Sequence, residues 1–174
     1  MGKKLSLGDR VLKVDHAGEH GAANIYRGQL VACRWRSTDL RRELGKFRAD
    51  EEKHRAIFAA ELHRRSVRRC RSYHLCGIGG LILGFATGLC GRPSIGATTV
   101  AVEQVVLRHL WVQLRDLHES DPDACSAISS IVKDEQTHHD RATLMGYQGV
   151  FWPRVLLPVV AASTEVVIWL GMRL

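Results

Sequence analysis

The sequence predicts an all-α protein: a four-helix bundle with two further apolar helices. Three observations lead there. No stretch sustains an alternation of apolar and polar residues with period two, so no sheet is expected. Apolar residues recur instead at near-helical spacing along runs that Pro does not interrupt. One arrangement of side chains also occurs twice. Glu19 is followed 32 positions later by Glu51-Glu52-Lys53-His54, and Glu103 is followed 32 positions later by Glu135-Gln136-Thr137-His138. A lone Glu and a Glu-x-x-His from each half are the side chains that four helices turn inward to hold two metal ions.

The first helix is expected from Leu7 to Trp35, where Leu12, Val14, Ala17, Ile25 and Leu30 are spread at near-helical spacing. Gly18 and Gly21 weaken it locally but leave room for close packing around Glu19. Ser37-Thr38-Asp39 caps a second helix that runs to about Arg71. Residues 75–91 carry no charge and mix Leu, Ile and Phe with many Gly. That is short for a transmembrane helix, which needs about 20 apolar residues, so an interfacial or re-entrant helix is expected. Pro93 starts a fourth helix that passes Glu103 and ends near Glu119. Ser120-Asp121-Pro122 is a cap followed by Pro at the first helical position of a fifth. This helix runs to about Leu144, and Gly146 and Gly149 end it. The last segment, 150–174, is strongly apolar and is interrupted by Glu165.

The spacing makes a geometric claim. The midpoints of the two Glu pairs, residues 35 and 119, fall just before the two cap signals. Antiparallel helices joined there place each Glu level with its Glu-x-x-His, roughly 20 Å from the turn. The i, i+3 spacing puts Glu51 with His54, and Glu135 with His138, on one face each. Four carboxylates balance two divalent ions, which is how a core tolerates six polar groups. Carboxylate and imidazole together suit iron or manganese more than zinc. Glu52 and His139 point away around the helix, while Asp50, Asp134 and Asp140 are candidates to hold the outer nitrogen of a ligand imidazole. His16 and His109 are candidates to line the pocket.

Composition sets the surroundings. The 174 residues form one domain by size, with no second unit visible. Met1-Gly2-Lys3-Lys4 runs into a charged stretch, so no secretory signal is expected. Five cysteines without a Cys-x-x-Cys exclude a disulfide framework and a zinc knuckle, and reduced thiols are expected. The formal charge is +7, from 25 Lys and Arg against 18 Asp and Glu. Arg64, Arg65, Arg68, Arg69 and Arg71 stand directly before the apolar segment, which favours anionic lipid over nucleic acid as the partner. No Gly-rich dinucleotide motif follows a strand.

Val14-Asp15-His16-Ala17-Gly18-Glu19-His20-Gly21-Ala22 with Ile25-Tyr26 and Gly28-Gln29 resembles the opening helix of demethoxyubiquinone hydroxylases. Thr99-Val100-Ala101-Val102-Glu103-Gln104 resembles the family's third ligand helix, and Asp134 to Asp140 its last. The similarity covers essentially the whole chain. It departs at His20 and at Leu110, where the family pattern has Tyr.

The resemblance implies a ferritin-like fold and a di-iron monooxygenase of ubiquinone biosynthesis, ligated by Glu19, Glu51, His54, Glu103, Glu135 and His138. It implies hydroxylation of a polyprenyl methoxy-methyl-benzoquinone or quinol with O2, electrons drawn from NADH, and no catalytic residue beyond the ligands. It also implies a peripheral membrane protein, on the inner face of a bacterial cell membrane or the matrix face of the mitochondrial inner membrane. An anionic membrane surface and a lipid-binding accessory protein of the quinone-biosynthetic complex follow as partners. Two rivals use the same ligands or the same location: a soluble oxidase or peroxidase of rubrerythrin type, and a non-catalytic membrane scaffold. The first lacks the apolar segments, and the second does not need an intact ligand set.

Overall fold

A computed structural model of the chain describes residues 5–146 and 151–173. Among these there are six helices and no strand: α1 (Leu7–Ala32), α2 (Thr38–Arg64), α3 (Tyr73–Cys90), α4 (Arg92–Leu117), α5 (Pro122–Gly146) and α6 (Phe151–Gly171). The start of the chain, Gly149 as a helix end, and the extreme ends of the expected last segment lie outside the described residues.

Side-chain caps mark the starts of α1 and α5. Ser6 accepts from the Asp9 amide at 3.0 Å while Asp9 accepts from the Ser6 amide at 3.1 Å, a reciprocal box that starts α1. Ser37 precedes α2 as expected but makes no side-chain cap bond. Asp121 accepts from the Ala124 amide at 3.1 Å, so it caps α5 with Pro122 just inside.

One boundary differs from expectation. α2 stops at Arg64, seven residues before Arg71. Ser66 takes φ 56, its amide reaches the His63 carbonyl at 3.0 Å, and the Val67 amide reaches that of Leu62 at 2.9 Å. Those two bonds satisfy the last carbonyls of the helix, and Val67 packs on the Leu62 cluster. The arginines that follow Arg65 therefore lie outside α2.

α1 with α2, and α4 with α5, form two hairpins, and residues 35 and 119 lie in their turns. α3 lies along α1, and α6 lies along α4. Two apolar plugs close the bundle at opposite ends. One joins Val11, Leu12, Phe58, Leu62, Leu110 and Ile131, and the other joins Tyr26, Leu40, Leu44, Phe47 and Ile95. In every bundle helix the Glu of the repeated pattern falls between these two plugs.

α3 approaches α1 more closely than side chains allow. A Cβ at Gly84 would meet the Ile25 carbonyl oxygen, and one at Gly80 would meet that of Gly21. Glycine is what lets the two backbones touch. The glycine face is used up inside, so Leu75, Ile78, Ile82, Phe85 and Leu89 point outward and are exposed. α6 exposes Phe151, Val159, Val166, Trp169 and Leu170. Both helices are long and apolar enough to cross a membrane by length and composition. All five cysteines are free thiols.

Candidate metal centre

The six side chains singled out by the repeat meet between the plugs, and none is more than 5% exposed. They divide into two overlapping sets. Glu19, Glu51, His54 and Glu135 offer ligand atoms within 4.8 Å of one another, and so do Glu51, Glu103, Glu135 and His138. Glu51 and Glu135 belong to both sets. Each hairpin thus supplies three members of one set and one member of the other.

The atoms converge without satisfying each other. His54 Nδ1 lies 2.8 Å from Glu135 Oε1 and 3.7 Å from Glu19 Oε2. His138 Nδ1 lies 3.1 Å from Glu51 Oε1. Yet Glu51 Oε1, Glu135 Oε1 and both Nδ1 atoms are buried without a hydrogen-bond partner. Lone pairs that face a common point, rather than a donor, fit cations placed between them. The donor set of four carboxylates and two imidazoles suits two divalent ions of the iron or manganese kind.

The electrostatics state the same need. Burial pushes Glu51 and Glu103 well above the ordinary carboxylate range, and Glu135 and neighbouring carboxylates add to this. Burial opposes ionisation of Glu135 too, but the His138 and His54 imidazoles that stand beside it outweigh burial and bring Glu135 down to about 2. His54 is pulled the other way by burial, yet Glu135 and Glu19 raise it to about 11. Without metal, burial and mutual repulsion favour the protonated forms of Glu19, Glu51 and Glu103, while Glu135 and His54 favour their charged forms.

The outer nitrogens are held crosswise. His54 Nε2 donates to Asp134 at 3.2 Å, and His138 Nε2 donates to Asp50 at 3.4 Å. Each imidazole is oriented by the opposite hairpin, with Nδ1 left to face inward. Asp140 is not brought in; it binds Gln136 and His139 on the surface. Glu52 is exposed and pairs with Arg48, and His139 is half-buried beside Asp140. His16 packs on Tyr73 and His109 binds Glu165 at 2.8 Å, so neither joins the cluster. At the two departures, His20 stacks flat on Tyr73 and Leu110 fills the core.

The residue missed by sequence reasoning is Tyr26. Its hydroxyl donates to Glu103 Oε1 at 3.0 Å from a fully buried position. The signal was present: Tyr26 stands seven residues after Glu19, two turns on along the same face. Phe47 closes the same side, 4.7 Å from the His138 ring.

An all-helical bundle with a buried, two-fold carboxylate and histidine cluster defines the class: ferritin-like helical bundles whose core side chains could hold metal ions. The chain belongs to the family of the ubiquinone biosynthesis protein COQ7, whose sequence model matches residues 6–171. It is 33% identical to the mitochondrial NADPH-dependent 3-demethoxyubiquinone 3-hydroxylase of Dictyostelium discoideum, over 98% of this chain and 79% of that protein. The human protein of the same name is 32% identical over 95% of this chain and 77% of its own length. The 3-demethoxyubiquinol 3-hydroxylase of Rhodospirillum rubrum is 32% identical, over 97% and 79% respectively.

Proposed function

We propose that this chain is an O2-dependent hydroxylase that adds a hydroxyl to the ring of a demethoxyubiquinone or its quinol, with two iron ions in the core. The convergence of all six expected ligands into two overlapping sets carries the reading. The names of the relatives supply the reaction and the ring system. Glu19, Glu51, His54 and Glu135 would hold one ion, and Glu51, Glu103, Glu135 and His138 the other. Bound there, iron supplies the redox chemistry with O2 that no side chain here supplies.

The remaining residues position and protect. Asp50 and Asp134 keep each imidazole turned so that Nδ1 faces inward. Tyr26 holds one oxygen of Glu103 and leaves the other for an ion. The plugs around Phe58 and Phe47 keep bulk water from the centre. The apolar outer faces of α3 and α6 suit a substrate that arrives from a bilayer with a polyprenyl tail. Reducing equivalents come from a nicotinamide dinucleotide, expected as NADH; the Dictyostelium and human relatives are named for NADPH.

Glu135→Ala removes a shared ligand. It is expected to abolish both iron binding and product formation, read by iron content and mass analysis of the quinones after anaerobic iron loading and exposure to O2. Full hydroxylation by this variant refutes the assignment.

A further inference from the structure

Beside the metal centre, at the start of α3, lies a second cluster that the hydroxylase reading does not use. Tyr73 opens α3 and is buried. The His20 ring lies flat on it with centroids 4.0 Å apart, and His16 stacks at 4.9 Å. Arg55 donates to the Tyr73 hydroxyl at 2.9 Å. The Arg69 guanidinium sits 5.0 Å from the same ring and donates to His74 Nε2 at 2.9 Å.

The charge here is unbalanced. Among the described residues, Arg55 and Arg69 have no carboxylate within ion-pair distance. The acids of this end of the bundle are already taken: Arg64 and Arg65 hold Glu61, Asp121, Asp123 and Asp9. Two buried groups have no partner. His16 is more than nine-tenths buried with Nδ1 unbonded, and Arg55 Nε is buried and unbonded. Burial, and then the nearby Arg55, His20 and Arg69, depress His16 to about 4, so its ring is neutral beside two guanidiniums. Two guanidiniums without a carboxylate and a buried imidazole nitrogen without a partner fit an anion with several acceptor oxygens.

We propose that this cluster binds a phosphate group of a phosphate-bearing ligand, through Arg55, Arg69 and His16. Two sources share that chemistry: a nicotinamide dinucleotide and an anionic lipid headgroup. The dinucleotide source rests on the hydroxylase reading; the anion site does not.

The test uses the full-length, iron-loaded protein. Binding of NADPH and of NADH is titrated by fluorescence, and flotation with phosphatidylglycerol vesicles is measured in parallel, for the wild type and for Arg55→Gln, Arg69→Gln and Arg42→Gln. Arg42 lies on α2 about 20 Å along the helix from Arg55 and serves as the control. Arg55→Gln and Arg69→Gln are each expected to weaken binding about tenfold, and Arg42→Gln to leave it unchanged. Loss of dinucleotide binding alone assigns the phosphate to the reductant; loss of flotation alone assigns it to lipid. Inorganic phosphate is expected to displace whichever ligand binds. Arg69 is exposed, so its variant decides the matter even if Arg55→Gln does not fold. Wild-type affinity of Arg69→Gln for both probes, or failure of phosphate to compete, overturns the proposal.

Discussion

Asp134 reaches the outer nitrogen of His54 from the other hairpin, so its charge acts on the metal centre through that ring. Asp134→Asn is expected to lower metal affinity by about 10- to 100-fold, measured by anaerobic titration with Fe(II) or Co(II). Asp140→Asn should leave affinity unchanged, because Asp140 serves only Gln136 and His139. Equal losses in both variants would remove Asp134 from its orienting role. The buried carboxyls also predict a pH dependence. Glu19, Glu51 and Glu103 hold protons in the folded, metal-free chain above the pH at which the unfolded chain releases them. The folded state then binds more protons, so stability falls as pH rises through the raised values. His54 acts in the same direction: its contribution is full below its ordinary value of 6.5 and is lost as pH rises to about 11. Denaturant melts of metal-free protein should weaken steadily from pH 5 to pH 8, while two bound divalent ions flatten the profile. A flat profile without metal contradicts the proton-filled cluster.

At the scale of elements, the contact of α3 with α1 is the one most exposed to test. Gly84→Val puts a branched side chain against the Ile25 carbonyl. It is expected to cost about 1–3 kcal/mol and to lower the melting temperature. Gly79 has open space around it, so Gly79→Ala should be neutral or stabilise by up to about 1 kcal/mol. Identical melts for the two variants would mean that α3 does not pack as described. All six helices were legible in the sequence, because apolar spacing and local start signals such as Ser37, Pro93 and Pro122 mark them out. The end of α2 was not: Ser66 in a left-handed conformation is an unusual stop for a non-glycine residue, and Val67 secures it only by packing on Leu62. The direction of the α3 glycines was not legible either, since a composition of Gly and Leu does not say which face meets another helix.

For the whole molecule, the outward sides of α3 and α6 expose many large apolar side chains, as membrane or partner contacts do. The protein is expected to float with anionic vesicles at low ionic strength, and high salt should weaken this. The basic run before α3 contributes unevenly. Arg64 and Arg65 are spent on ion pairs within the bundle, whereas Arg68 and Arg71 are exposed with no such partner among the described residues. Arg68→Gln with Arg71→Gln should therefore reduce flotation, at about 1 kcal/mol per charge, and Arg64→Gln should not. Protein that stays in solution with anionic vesicles at low salt would defeat the membrane reading.

The sequence by itself determined the helical class, the two hairpins and the six residues of the core cluster. A repeat of Glu and Glu-x-x-His at equal distance from two turns leaves little geometric freedom once the helices are antiparallel. Only the tertiary structure decided that Glu51 and Glu135 are shared between the two sets, and that Asp50 and Asp134 hold the imidazoles crosswise. It alone joined Tyr26 to Glu103, 77 residues away. The reason is one of range: spacing along one helix fixes which side chains share a face, but the partner across the bundle depends on how the two hairpins dock.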